Sequence, residues 1–592
     1  MSAKSDEPHE QASRSSNRGG TRKRVGSRLN RYMIAPTGPG INEDALIERL
    51  QGLGGVEVVR TLAATQTDCP PVVVARMTPD KAAQLHHSAG DQLAVEPDQP
   101  LFAASTAAPS LLRRSVVTTP AGQGFTVTVQ VLGANDEPIE QAEVQLIGQQ
   151  WTAQGLTGSD GKVVLNLYGE VPDGVRDILV RPHSDYWGLW KRHPKLQTDT
   201  VNILALQPLP KVKRFGWGAQ AMRLDRLPAE CRGGGVKIGL LDSGVATSHP
   251  QLKGLEHGFE ADGDDEGSWS EDPTGHGTAC AGVIATTDVA ECVGGYAPDA
   301  ELHVCKLPAE AYCIDLVAGL DYCLRAGVDL ACIGFGCRRG SAIVEQRIRA
   351  AKRRGIAVLA AAGSNGEAVL FPACSRHVLA VGAIGQMGTF PDETPHAARA
   401  TPGVRAGLFV PAFSCRGSEV DLGAPGVAVI STQSPEGYVA ADGTSLATAH
   451  VAALAALVLA HGADFQRAFA PRDARKVERL FQILKATAQT VGDPMESGAG
   501  LPDASRALGL RPQNEAQSPE VTAGLHSMHA ALWLAGLSMA EERTLPEPPR
   551  GPAIFARVPL DVGPPTMTAA SGVKAGVGEL KAAMQMAGLS AG

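Results

Sequence analysis

Aromatic side chains make up only 4% of the 592 residues, and acidic and basic groups nearly balance, 62 against 54, for a net charge of -8. Neither a basic field nor interleaved aromatics is on offer, which argues against a nucleic-acid surface. Long apolar runs are scarce as well, and no stretch is expected to reach the ~18 residues of a membrane span. The segment Met1 to Asn30 is polar, with Arg22, Lys23 and Arg24 but no apolar core behind them. It does not read as a secretory signal peptide, so a cytoplasmic location is expected. The 11 cysteines are odd in number and contain no CxxC pair. Most of them lie between Cys231 and Cys415, several in apolar segments, as buried thiols of a reducing compartment do. Zinc-type Cys/His spacing is missing. Were the chain exported, Cys313 with Cys323 or Cys332 with Cys337 would be the pairs expected to bridge.

What the sequence does have is concentrated in three segments. Asp442-Gly443-Thr444-Ser445-Leu446-Ala447-Thr448-Ala449-His450 leads into the apolar run Val451 to Ala460. Ser445 thereby opens a helix, at the end where backbone N–H groups favour negative charge. Upstream, the strand-like Val236 to Leu241 ends in Asp242, and His276 sits in the glycine-rich turn Thr274-Gly275-His276-Gly277-Thr278 before a helix. A serine nucleophile needs a base, and the base needs a carboxylate to hold its tautomer. Taken singly the three are a helix cap, a turn histidine and a strand end. Together, in the order Asp, His, Ser, they point to acyl transfer.

These segments, with Ser248-His249-Pro250 after the aspartate, resemble the subtilisin-like (subtilase, peptidase S8) serine proteases over roughly Phe215 to Leu510. The resemblance implies a serine endopeptidase with Asp242, His276 and Ser445 as catalytic triad. It implies an α/β fold, a parallel sheet covered by helices on both faces, for residues 215–510. The substrate would lie along Gly334, Phe335 and Gly336, facing Ala361, Ala362 and Gly363. Side-chain help for the oxyanion departs from the family, which has asparagine after Ala-Ala-Gly. Here Ser364 holds that place and Asn365 follows, so either could serve. Ala449 and Leu446 replace the family's usual proline and methionine.

Ahead of this region, residues 31–100 read as β-α-β-β-α-β, the split βαβ or ferredoxin-like motif. That α+β domain resembles the subtilase propeptide, which would make the chain's own N-terminal domain an intramolecular inhibitor and the protein a zymogen. A linker is expected over 101–123, including Arg113-Arg114, and then alternating strands over 124–208. These resemble a small Ig-like or carboxypeptidase-regulatory-like β-sandwich. Residues 1–30 and the Pro-, Ala- and Gly-rich extension 511–592 are expected to be disordered, the latter with helical patches at Leu525 to Glu542 and Val577 to Leu589. No cofactor is required by the chemistry. Calcium is conceivable at the acidic stretch Asp262 to Glu266 and Glu271-Asp272, with a solvated loop as the alternative. Protein or peptide substrates are the expected partners. Two other functions stay open: a catalytically weak binding or scaffolding protein, and a processing protease dedicated to one partner.

Overall fold

The computed structural model describes residues 29–38, 42–66, 68–105, 123–210, 216–263, 267–287, 294–403, 407–467 and 472–510. The expected N-terminal and C-terminal tails, Arg113-Arg114 and Asp264 to Glu266 lie outside the described residues.

The chain first forms β1 (Asn30–Pro36), α1 (Glu43–Gln51), β2 (Glu57–Leu62), β3 (Val72–Met77), α2 (Pro79–Ala89) and β4 (Leu93–Pro97), with antiparallel strand order β2-β3-β1-β4. Local chemistry sets the helix starts. Asn42 and Thr78 cap the N-termini through their side chains, and Pro79 stands in the first turn of α2. Alternation along the strands then divides the sheet. Ile34, Val73, Ala75 and Met77 pack on α1 and α2, while Met33, Ala35, Val72 and Val74 face residues 313–351 of the large α/β domain. The linker expected from residue 101 begins later, because β5 (Phe102–Ala103) pairs with a distant strand.

A β-sandwich follows. Its strands are β6 (Gly124–Leu132), β7 (Glu143–Ile147), β8 (Thr152–Leu156), β9 (Lys162–Tyr168), β10 (Asp177–Arg181), β11 (Leu189–Arg192) and β12 (Val201–Ala205). They form sheets β11-β10-β7-β8 and β12-β6-β9 around a core of Val127, Val129, Leu146, Leu165 and Ile178. Trp187 leaves this module and buries itself among Ala383, Phe409, Phe413 and Val427 of the next domain.

That domain contains α3 (Trp217–Ala221), β13 (Lys237–Asp242), β14 (His257–Glu260), α4 (His276–Ala285), β15 (Glu301–Lys306), α5 (Cys313–Ala326), β16 (Leu330–Ile333) and β17 (Phe335–Gly336). Then come α6 (Ala342–Arg353), β18 (Ala357–Ala361), β19 (Leu379–Gln386), α7 (Pro395–Ala398), β20 (Leu408–Phe409), β21 (Leu422–Pro425), β22 (Val429–Thr432), β23 (Tyr438–Ala441) and α8 (Thr444–His461). The large sheet runs β14-β15-β13-β16-β18-β19, parallel throughout, with β20 and β21 both on β19. Its strands are apolar on both faces, as a sheet sandwiched by helices requires. Ile238 and Leu240 of β13 face α4 and α8, whereas Leu241 faces α5 and α6.

Two expectations change here. Contrary to the reading of the sequence, helix α8 is long and apolar enough to cross a membrane by length and composition. It is 83% buried and packs on β16, β18, β19 and β21, so its all-round apolarity is that of a core helix. The cysteine pairs also differ. Cys313 lies 3.6 Å from Cys337, and Cys305 lies 4.0 Å from Cys323, sulfur to sulfur. Cys313 and Cys323 stand at opposite ends of α5, about 15 Å apart at 1.5 Å rise per residue. Cys332 and Cys337 fall into separate cores on opposite faces of the sheet.

Candidate active site

Asp242 ends β13, between its parallel neighbours β15 and β16, so its carboxylate emerges at the carboxyl edge of mid-sheet. That edge is where open α/β sheets bind ligands. The group is fully buried. Its Oδ1 accepts from His276 Nδ1–H at 2.6 Å and from the Ser243 N–H at 2.8 Å.

His276 is the first residue of α4, and Gly275 before it holds φ at 75°, in the left-handed region. With Nδ1 donating to Asp242, the Nε2 lone pair faces Ser445 Oγ at 2.8 Å. Burial disfavours the imidazolium, but the charge and hydrogen bond of Asp242 outweigh it and raise the His276 pKa above its ordinary value.

Ser445 lies in the first turn of α8, almost fully buried. The geometry thus brings the three predicted triad residues into one hydrogen-bonded line.

The turn around His276 is fixed by a residue read earlier as part of an acidic loop. Asp272 is buried. Its Oδ1 accepts from the Ser243 hydroxyl (2.9 Å) and the Gly275 N–H (3.0 Å), and its Oδ2 from the Thr278 N–H (2.8 Å) and hydroxyl (2.7 Å). With its lone pairs taken by protein donors, Asp272 does not fit the calcium reading. It ties the aspartate strand to the histidine turn. Cys280, one helical turn after His276, lies with Asp242 and His276 within metal-ligand range. Burial holds its thiol pKa well above the usual value, which opposes the thiolate a metal would need.

A segment of the chain itself fills the cleft. Strand β5 pairs antiparallel with β17, Ala103 opposite Phe335 and Phe102 opposite Gly336. The Ala104 N–H donates to Gly334 O (2.8 Å), and on the other side the Leu101 N–H donates to Ala311 O (2.8 Å). Leu101 and Ala104 are buried, while Phe102 and Ala103 are exposed. The Ala104 carbonyl oxygen receives the Ser364 hydroxyl at 2.8 Å and the Ser445 N–H at 3.2 Å, with Ser445 Oγ also 3.2 Å away. Ser364 Oγ in turn accepts from the Thr444 N–H at 3.1 Å, which leaves its single hydrogen for Ala104.

Asn365 is turned elsewhere. Its amide donates to Glu367 Oε2 (3.0 Å), and its Oδ1 accepts from the Cys415 thiol (2.8 Å). Gly334, Phe335 and Gly336 run along one side of residues 102–104. Ala362 leads into Gly363, whose N–H donates to Thr444 Oγ1 at 3.1 Å. Ala361 continues β18 beneath it.

The N-terminal domain is held on this surface by carboxylates at helix ends. Glu96 accepts from the Ala342 and Ile343 N–H groups at the start of α6 (2.9 and 3.2 Å). Asp98 accepts from the Ile314 N–H at the start of α5 (3.1 Å) and from Arg31 (2.8 Å). Asp68 pairs with Arg354 (2.6 Å) and with Arg353, which together lower its pKa.

Comparison with known proteins gives the family. A profile described as Peptidase_S8, Subtilase family, matches residues 233–500. Subtilisin DY of Bacillus licheniformis is 31% identical over 294 residues, which cover 48% of this chain and 95% of that protein. An intracellular serine protease of Paenibacillus polymyxa is 30% identical over 317 residues, 51% of this chain and 90% of that one. Among solved structures, fervidolysin from Fervidobacterium pennivorans, a keratinolytic enzyme related to subtilisin, superposes with a TM-score of 0.51 at 18% identity. The match covers 83% of this chain and 62% of fervidolysin, and at that identity it speaks for the fold alone. With a fold, a site geometry and close sequence relatives all of one kind, the chain belongs to the subtilase family and is a subtilisin-type serine endopeptidase.

Proposed function

We propose that Ser445 is the nucleophile, His276 its base and Asp242 the group that orients the base. Ser445 Oγ adds to a peptide carbonyl as His276 Nε2 takes its proton, and Asp242 stabilises the imidazolium that results. The negative oxygen is met by the Ser445 N–H and the Ser364 hydroxyl, so Ser364 takes the role that asparagine has in the family. His276 then gives the proton to the departing amine, and water resolves the acyl-enzyme by the same route in reverse.

The same reading makes the N-terminal domain an intramolecular inhibitor and the Ala104–Ser105 bond the first substrate. The observation that carries it is the Ala104 carbonyl lying between the Ser364 hydroxyl and the Ser445 N–H, beside Ser445 Oγ. Intact mass of the purified protein, compared with Ser445→Ala, tests it. A wild-type fragment with a new terminus at Ser105, absent from the variant, is expected. An uncut wild type, or a terminus elsewhere, overturns the assignment of the bond. The donor pair at Ala104 favours a working protease over a catalytically weak scaffold, because it supplies the help that loss of the family asparagine removes.

A further inference from the structure

The triad chemistry makes no use of the β-sandwich, yet the sandwich holds the segment that delivers Ser445. That segment is the hairpin β22–β23, whose second strand runs through Asp442 and Gly443 directly into α8. Its first strand is bonded to the other half of the site. The Ser431 and Thr432 hydroxyls donate to the Ala279 and Thr278 carbonyls of α4, both at 2.7 Å, and α4 begins with His276. One hairpin therefore ties the element of the base to the element of the nucleophile.

The connection between β10 and β11 of the sandwich grips this hairpin at both ends. At its turn, the Asp185 N–H donates to Tyr438 O (2.7 Å), and Asp185 Oδ1 accepts from the Tyr438 N–H (3.0 Å). At its base, Trp187 is 6% exposed and shares a core with Val427 and Ala428, which lead into β22. Ala428 holds φ at 51°, in the left-handed region that alanine rarely adopts, and its N–H donates to Asp442 Oδ1. His396, which meets the Trp187 ring edge-on, donates to the same oxygen, and Arg399 donates to Oδ2. Both carboxylate oxygens three residues before Ser445 are thus fixed by donors, and an indole from the sandwich backs one of them.

We propose that Trp187 and Asp185 are positioning residues: through them the sandwich clamps the β22–β23 hairpin and keeps Ser445 Oγ within reach of His276 Nε2. Neither touches substrate or a reacting atom. Trp187 acts by way of His396 and Asp442, and Asp185 by way of Tyr438. This rests on the assignment of Ser445 as nucleophile. A misplacement of about 1 Å at the reacting atoms costs about 10²-fold in rate, so the clamp is read in kcat.

The test measures kcat and KM for the peptide Leu-Phe-Ala-Ala-Ser-Thr, per active site counted by labelling with phenylmethanesulfonyl fluoride. Trp187→Ala is expected to lower kcat per labelled site by about 10- to 10²-fold with KM little changed, and Trp187→Phe to recover most of it. Asp185→Ala should give a smaller loss of the same kind. His396→Ala should lose kcat as Trp187→Ala does, and combining the two should cost little more, because both act along one line. A merely structural role would reduce the number of labelled sites and the thermal midpoint, while each surviving site turned over at the wild-type rate. That result overturns the inference, and so do losses that multiply in the double variant.

A second arm needs no turnover. In full-length Ser445→Ala, adding Trp187→Ala is expected to speed amide hydrogen exchange over residues 436–446 and to leave β13 and α5 unchanged, read by mass spectrometry. Exchange over 436–446 as slow as in the parent overturns the clamp. Failure of wild type to cleave the peptide or take the label, with the exchange as expected, counts against the catalytic assignment and for the clamp.

Discussion

At the residue scale the site is a short list of contacts whose loss has separable costs. Ser445→Ala removes the proposed nucleophile, and the cost measured in subtilisin itself, about 10⁶ in kcat, sets the expectation for peptide turnover. Ser364→Ala leaves the oxyanion with the backbone donor alone. Steady-state kinetics should show kcat lower by about 10² to 10³ with KM little changed, while Asn365→Ala should fall far short of that loss. Gly334 is held to glycine by crowding: a Cβ there would stand 2.1 Å from Asp242 Oδ2 and 3.3 Å from His276 Cε1. Gly334→Ala therefore pushes the carboxylate off the imidazole, and about a 10²-fold loss is expected, read as kcat/KM.

The pH profile follows from His276. Its protonated form cannot take the Ser445 proton, so activity falls on acidification. Because Asp242 raises its pKa, the midpoint of that acid limb should lie above the ordinary histidine value of 6.5. A pH–rate profile of kcat/KM with a midpoint below that value would contradict the pairing.

Legibility at this scale was uneven. Asp242, His276 and Ser445 announce themselves because each needs a specific local turn or strand end, written in glycines and apolar runs. Ala104 carries no such mark. An alanine in Phe102-Ala103-Ala104-Ser105 reads as linker, and only the fold sets its carbonyl between the Ser364 hydroxyl and the Ser445 N–H.

At the element scale, helices α5 and α6 begin on carboxylates from another domain. Asp98 and Glu96 act as their caps across the interface, and each such cap contributes about 1 kcal/mol. Glu96→Ala in the Ser445→Ala background should lower stability by about that amount in a denaturant melt, while speeding loss of the N-terminal domain in the active enzyme. The sandwich has its own anchor. The Trp187 ring meets His396 edge-on, with centroids 5.6 Å apart, and His396 Nδ1–H donates to Asp442 at 2.6 Å. Asp442 also accepts from Arg399 (2.6 Å) and the Ala428 N–H (2.7 Å), two residues before the turn into Ser445's helix. Trp187→Ala empties a buried aromatic site and should cost about 3 kcal/mol or more by thermal unfolding.

Two of the strands that the sequence did not declare belong to the sandwich. β8 (Thr-Ala-Gln-Gly-Leu) has a glycine and weak strand formers, and β10 is buried through Ile178, Leu179 and Val180, so its alternation is erased. By contrast, β9 alternates without a break between exposed and buried positions, and was readable for that reason.

At the scale of the whole molecule, acid stability rests on buried groups far from the surface. His450 is buried on α8 with Nδ1–H donating to Leu446 O (2.8 Å), and burial lowers its pKa from 6.5 to about 4. The unfolded chain thus binds the proton first as pH falls, and stability drops between pH 6.5 and 4. The total is about 3 kcal/mol. His450→Asn keeps a donor for Leu446 and should flatten that part of the pH dependence, measured by denaturant melts of Ser445→Ala. Asp442 acts lower still. Burial opposes its charge, but His396, Arg399 and the Ala428 N–H together bring its pKa to about 2, so its contribution is lost only as pH falls through that value.

Composition and turn chemistry divide the sequence into segments, because each expected boundary is a local change of pattern. Their docking leaves no such trace. Nothing in the sequence of β4 says that Glu96 and Asp98 meet helix ends more than two hundred residues away.

The continuous chain from those caps through Pro97 to Ala104 has a kinetic consequence. On the proposal that Ala104–Ser105 is the first substrate, that bond is delivered to Ser445 by its own backbone at a local concentration that dilution does not alter. The first cut is then a clock internal to each molecule: its half-time should be the same at every protein concentration, whereas cleavage of any other chain must slow as the sample is thinned.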